Sequence, residues 1–203
     1  VGTERLGAAV EISRVDADWR RQTREALQAT PSAPFQYDTR STVTPTVTFA
    51  VSRRVRIVGG VSVTQLEPDT RAESSVSANA FVLALQYDGR WREGRRRQDV
   101  EAQFDVRAAG GALQSDLRYE RYSSRVRYRA RWGSQTFLAT GMAGGISGRA
   151  PIFERFTLGD STTLRGWNKY DIAPLGGTRV AHGSIEYRKH DWALFLDTGA
   201  VWS

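Results

Sequence analysis

The sequence predicts an all-β protein: an antiparallel sheet of about ten strands with the pattern of a transmembrane β-barrel. Three observations predict it. Apolar and polar residues alternate over stretches close to the nine to eleven residues that a tilted strand needs to cross a bilayer. Short turns take turns with longer polar loops, the rim asymmetry of outer-membrane barrels. The chain of 203 residues carries a formal net charge of +7 and a mean hydropathy of -0.46, with no apolar run near the ~18 residues of a membrane helix. A barrel does not need such a run, because its lumen face is polar.

Leu6 to Ser13 alternates, with Leu6, Ala8, Val10 and Ile12 on one face. Asp16 to Ala29 fits a short helix or a polar strand leading into a loop, and Thr30 to Tyr37 is a loop by its prolines. Val43, Pro45, Val47, Phe49 and Val51 form the next apolar face, Arg53-Arg54 turns the chain, and Val55, Ile57, Gly59, Val61 and Val63 follow. Leu66 to Ser75 reads as a polar loop. Phe81, Leu83, Leu85 and Tyr87 make another apolar face, and Gly89 to Arg97 reads as a charged loop. Val100, Ala102, Phe104 and Val106 come next, before a loop through Ala109-Gly110-Gly111. Val126, Tyr128, Ala130 and Trp132 oppose Arg125, Arg127, Arg129 and Arg131; Gly133-Ser134 then turns the chain into Thr136 to Ile146. Ala181, Gly183, Ile185 and Tyr187 oppose His182, Ser184, Glu186 and Arg188. The last strand, after a turn at Lys189-His190-Asp191, puts Trp192, Leu194, Leu196, Ala200 and Trp202 opposite Asp197. Tyr87, Trp91, Tyr119, Tyr122, Trp132, Tyr187, Trp192 and Trp202 lie near strand ends, where aromatic girdles form.

One long segment breaks the alternation, from about 149 to 178. It is rich in Gly, Thr, Ser and Pro, yet holds Phe153, Phe156, Trp167 and Tyr170, so it is expected to pack against something. At its heart lies Thr163-Leu164-Arg165-Gly166-Trp167. A buried arginine needs a carboxylate, and the nearest good candidate downstream is Asp197, in Phe195-Leu196-Asp197-Thr198-Gly199. Glu186, on the polar face of the preceding strand, is a second candidate acceptor.

The residues weigh against other classes. A soluble two-sheet sandwich also alternates, but these strands are long for one and their apolar side chains modest. The Arg125, Arg127, Arg129, Arg131 row is a solvated face or one wall of a basic lumen. On a membrane barrel it must point inward, since a lipid-facing arginine at the midplane costs about 2–4 kcal/mol. Nucleic acid is not expected as a partner: the charge suits it, but no recognised module is present. With no cysteine and two histidines, thiolate and histidine metal sites have no basis, and no cofactor is expected. Gly141 to Gly148 lacks the lysine and the helix of a phosphate loop, and no nucleophile elbow appears, so the chain does not read as an enzyme.

Two motifs resemble those of the BamA/TamA/two-partner-secretion superfamily of outer-membrane barrels, the bacterial surface antigen family. Thr163-Leu164-Arg165-Gly166-Trp167 resembles its [V/I/L]-R-G-[F/Y] motif, with Trp167 where the family has Phe or Tyr. Pro151-Ile152-Phe153-Glu154-Arg155-Phe156 resembles the lead-in, and Phe195-Leu196-Asp197-Thr198-Gly199 the family's F-x-D-x-G strand motif one strand later. The match is strong over Ala150 to Trp202; upstream only the hairpin rhythm agrees.

The resemblance implies a sixteen-stranded barrel whose sixth outer loop folds into the lumen. Its motif arginine, here Arg165, would pair with the motif aspartate, here Asp197. Gly166 would allow tight packing at the loop tip. Residues 1–203 are then expected to be one partial barrel, spanning approximately the family's fourth to thirteenth strands, a fragment of a larger protein. The implied setting is the bacterial outer membrane; the implied partners are the lipid bilayer, substrate outer-membrane or secreted proteins, and accessory assembly proteins. A passive pore and an export platform for a fused domain are the alternatives.

Overall fold

The computed structural model describes residues 5–30, 34–68 and 74–203. Ten strands form one antiparallel sheet: β1 (Leu6–Asp16), β2 (Thr39–Ala50), β3 (Val55–Glu67), β4 (Val76–Ser77), β5 (Ala80–Glu93), β6 (Arg96–Ala109), β7 (Tyr119–Trp132), β8 (Gln135–Gly148), β9 (Arg179–Lys189) and β10 (Trp192–Trp202). Neighbours in sequence are neighbours in space, except that the two-residue β4 pairs only with β3, so that β5 follows β3 in the sheet. The other nine strands run 11 to 14 residues, longer than the bilayer minimum.

The alternation decides which way each strand faces. Leu6, Val10 and Ile12 of β1 pair with Phe49, Pro45 and Val43 of β2, and all but the proline are among the large apolar residues exposed to the surroundings. Leu83 and Leu85, Phe104, Val126, Ile185, Leu194 and Leu196 continue this apolar belt around the sheet. In water such a surface would be an aggregation hazard; it is the surface lipid requires. Pro45 has no N–H to donate, and the β2–β3 ladder skips Thr44 and Pro45 before resuming at Thr46 and Gly60.

Leaving aside the two-residue β4, four connections between strands are short: 51–54, 94–95, 133–134 and 190–191. They share one rim, and the long connections share the other. Gly89 to Arg97 is therefore not a loop. β5 continues through Trp91 to Glu93, Gly94 turns with φ +55°, and β6 starts at Arg96. The charges there belong to strand ends that project past the apolar belt. Leu66 likewise lies in β3, fully buried, while residues 69–73 of the loop expected at Leu66–Ser75 lie outside the described residues, as do 31–33 of the proline loop. The ambiguous Asp16–Ala29 stretch divides: Asp16 ends β1 and a helix, α1, spans Arg21–Ala29. An Arg21–Glu25 pair at 2.6 Å supports α1 on its exposed side, and Thr23 and Leu27 are its buried positions.

The buried core sits on the inward face at the long-loop end. Leu66, Ala80, Ala109, Tyr119, Ile146 and Val180 come from the strands; Ala150, Ile152, Phe156 and Leu158 come from the loop between β8 and β9. Trp19 closes over it, edge-on to Tyr37 at 5.3 Å and to Tyr170 at 6.4 Å. Tyr119 is thus a core residue and not part of a girdle, because its position in β7 faces inward with Arg121.

Candidate functional site

Antiparallel register builds a receptor on the inward wall of β9 and β10. Ser184 lies directly across from Asp197, and Glu186 across from Phe195. All four side chains share the inward face, because residues two apart on a strand point the same way. The result is a carboxylate on each strand with an aromatic ring between them.

Arg165 enters this receptor from the long loop, which runs from residue 149 to 178. Its Nε and Nη2 donate to Asp197 Oδ2 and Oδ1, both at 2.7 Å, a two-point fork. Its Nη1 donates to Glu186 Oε2 at 2.5 Å and its Nη2 to Ser184 Oγ at 3.3 Å. The backbone N–H of Arg165 also donates to Asp197 Oδ2, at 3.2 Å. The guanidinium carbon lies 3.7 Å from the Phe195 ring centroid, close enough for cation–π attraction. Ser184 Oγ donates to Asp197 Oδ1 at 2.7 Å, and Arg188 pairs with the other oxygen of Glu186. Hydrogen bonding to Asp197 raises the Arg165 pKa, against a smaller opposing effect of burial, so the cation is held firmly charged.

The loop is shaped to deliver that side chain. Asp160 Oδ1 accepts from the N–H and hydroxyl of both Thr162 and Thr163, at 2.8 to 3.0 Å. Burial alone would raise the Asp160 pKa; these four donors outweigh it, and the carboxyl stays below its usual range. Thr163 also accepts the Gly159 N–H at 3.0 Å, and its carbonyl accepts from His182 Nε2–H at 3.0 Å. Gly166 serves a different end from the tight packing expected of it. Nothing lies within 4 Å of where its Cβ would be, but φ is +90°. A side chain there strains the backbone by about 1 kcal/mol. Gly166→Ala should therefore weaken tip docking several-fold while leaving the strands intact, checked by trypsin cleavage at Lys169.

A second anchor holds the start of the loop. Glu154, 5% exposed, pairs with Arg107 of β6 at 2.8 Å and with Arg121 of β7 at 3.6 Å, and accepts from the Tyr119 hydroxyl at 3.2 Å. Arg121 also donates to the Glu154 backbone carbonyl at 3.0 Å and lies over the Phe156 ring at 4.6 Å. Two wall glycines make room for the loop. A Cβ on Gly144 of β8 would strike Phe156, and one on Gly199 of β10 would reach Leu158 Cδ1 at 2.8 Å. The three named residues of Phe195-Leu196-Asp197-Thr198-Gly199 thus each meet the loop: ring under the cation, carboxylate on the fork, and bare backbone under Leu158.

Beside Arg165 the inward face opens into a cavity of about 650 Å³. Arg125 and Arg127 line it, as do Glu186, Arg188 and Asp197; Arg129 and Arg131 continue the row beyond it toward the short-turn rim. The row is not purely basic in its surroundings. Glu101 and Asp99 of β6 stand across from Arg127 and Arg129, and Arg127 reaches Glu101 at 3.9 Å. Leu164 packs against the core cluster, as do Phe153 and Tyr170, and Phe156 is part of it. Trp167 does not pack: it is 57% exposed, pointing out of the tip.

Reading the sequence alone gives no role to Glu154, Asp160, Thr163 or His182. Glu154 lies in Pro151-Ile152-Phe153-Glu154-Arg155-Phe156, but its partners Arg107 and Arg121 lie 47 and 33 residues away. A signal for them exists in hindsight: an arginine at an inward, long-loop-end position on each of two adjacent strands, where the core otherwise needs apolar residues.

A family model described as "Omp85 superfamily domain" matches residues 2–203. No curated protein sequence matches the chain. Among solved structures, BamA from Haemophilus ducreyi lacking POTRA domains 1–3 is similar, with a TM-score of 0.69 at 13% identity over 98% of this chain. At that identity the likeness shows the fold alone. The chain spans 46%, about half, of that structure's length.

Proposed function

The chain belongs to the Omp85 superfamily, and from that premise we propose that it is the barrel portion of a factor that inserts proteins into the bacterial outer membrane or secretes them across it. Arg165 on Asp197 and Glu186 is the observation that carries this reading. The loop is held in the lumen by a fork on Asp197, a second contact on Glu186 and the Phe195 ring, which supports a working element there more than an open channel. The chemistry is hydrogen bonding, ion pairing and strand pairing, with no bond made or broken. The partners are the bilayer, an unfolded or partly folded outer-membrane or secreted protein, and accessory assembly proteins.

The test is reconstitution. The full-length protein in proteoliposomes should accelerate folding of a urea-unfolded outer-membrane barrel by at least about tenfold over empty vesicles, read by heat-modified gel mobility. A passive pore is the second reading, favoured by Arg125 and Arg127 in the cavity wall. No acceleration, together with anion-selective current that survives deletion of the loop, would replace the first reading with the second.

A further inference from the structure

The short-turn rim carries a cationic belt that the lumen loop does not use. On the outward face, Glu93, Arg96, Trp132, Gln135, Lys189 and Trp192 are successive cross-strand partners from β5 to β10. Arg54, in the β2–β3 turn, places its guanidinium 5.5 Å from the ring centroid of Trp91, which is itself 40% exposed on the same face. Three exposed cations therefore each stand beside a tryptophan: Arg54 at Trp91, Arg96 across from Trp132, and Lys189 across from Trp192. Arg53 and Arg95 add charge in the turns, against Glu93 and Asp191.

Two acids share the belt, Glu93 across from Arg96 and Asp191 in the β9–β10 turn, so the cations outnumber them; the acids on the inward face of this rim are held by other arginines. Asp88 pairs with Arg90, Asp99 with Arg97, and Glu186 with Arg188 and Arg165. Among the described residues, none of Arg54, Arg96 and Lys189 forms an ion pair. Nor is the belt a by-product of overall charge. At the opposite rim, the β1–β2 connection balances Asp18, Glu25 and Asp38 against Arg20, Arg21 and Arg24.

Tryptophan settles at the level of the headgroups, so a cation beside it sits at phosphate depth. Guanidinium and ammonium groups there make charge-assisted hydrogen bonds to phosphate, and a leaflet with net negative headgroups attracts them further. We propose that the short-turn rim binds anionic phospholipid headgroups of the leaflet it faces, at sites formed by Arg54 with Trp91, Arg96 with Trp132, and Lys189 with Trp192. This holds whatever the lumen loop does.

Three of the six tryptophans lie in the belt and report the test, with Trp19, Trp167 and Trp202 changed to Phe in every version compared. The full-length protein is reconstituted in phosphatidylcholine vesicles containing brominated phosphatidylglycerol, or brominated phosphatidylcholine, and quenching of tryptophan fluorescence gives the relative affinity. We expect phosphatidylglycerol to be preferred by about threefold or more at low salt, falling toward parity in high salt. The Arg54→Gln, Arg96→Gln, Lys189→Gln triple variant should remove the preference while retaining heat-modified mobility. A control with Arg20, Arg21 and Arg24 changed to Gln removes as much charge from the other rim and should keep it. Parity in the version with an intact belt, an unchanged preference in the belt variant, or an equal loss in the control would each overturn the proposal.

Discussion

Arg165→Ala should lower assembly or secretion activity by at least about tenfold while the barrel remains folded. The alanine leaves Asp197 and Glu186 facing each other without the cation that both contact. Removing one partner of a fully buried pair costs about 3–5 kcal/mol. Here the Arg165 side chain is 25% exposed beside an open cavity, so about 2 kcal/mol is the better figure, a factor near 30 in loop docking. The strand ladders do not pass through Arg165, so heat-modified mobility should hardly change. Arg165→Lys should recover only part of the loss. An ammonium group is a point charge and cannot fork onto Asp197 while also reaching Glu186. Full activity in Arg165→Ala would end the case for a functional lock.

Glu154→Ala is expected to be the more damaging change to the structure. Arg107 and Arg121 are direct cross-strand partners, and Glu154 lies between them and Tyr119. Without the carboxylate, two half-buried cations are left adjacent in a mostly apolar core, and the tyrosine hydroxyl loses its acceptor. A cost of about 3 kcal/mol follows, since this site is drier than the tip. Glu154→Gln should fall between, keeping hydrogen bonds but not charge. Limited trypsin digestion separates the two anchors. Glu154→Ala should speed cleavage after Arg149 and Arg155, Arg165→Ala should speed cleavage after Lys169, and the double variant should lose the whole segment. A double variant cleaved no faster than either single one would mean that the two contacts do not hold the loop independently.

Much of this molecule was legible in the sequence, and the residues say why. Period-two alternation decides a strand's two faces, so Asp197 could be set opposite Leu194 and Leu196, and Glu186 opposite Ile185 and Tyr187. The loop bounds followed from where the alternation stopped. Polarity does not by itself mean irregular backbone. Gly89–Arg97 is charged because β5 and β6 outrun the membrane, not because the chain leaves the sheet. Tyr119 looked like an interfacial aromatic, but its parity with Arg121 turns it inward. At Gly166 the requirement is a positive φ and not space, which a sequence does not distinguish. The Glu154 anchor needs more than the two inward arginines that alternation can place. It requires knowing that Arg107 and Arg121 are opposite each other, and register across a long loop is not written in either strand alone.

The two anchors of the loop lie on different parts of the wall: Glu154 grips β6 and β7, and Arg165 grips β9 and β10. An open arc of strands is mechanically soft, because small changes of twist between neighbours add up to flattening or curling. A chord fixed at two points on an arc removes that freedom between them. The segment from 154 to 165 is such a chord, and it makes β6 through β10 a braced girder of set curvature. The other strands meet the same loop differently: Arg40 of β2 lies over the Phe153 ring at 4.5 Å, and Leu66 of β3 and Ala80 of β5 pack in the cluster with Ile152. Cutting the chord at either anchor is therefore expected to relax the curvature of β6 to β10, a change readable as altered strand spacing by cross-linking between those strands.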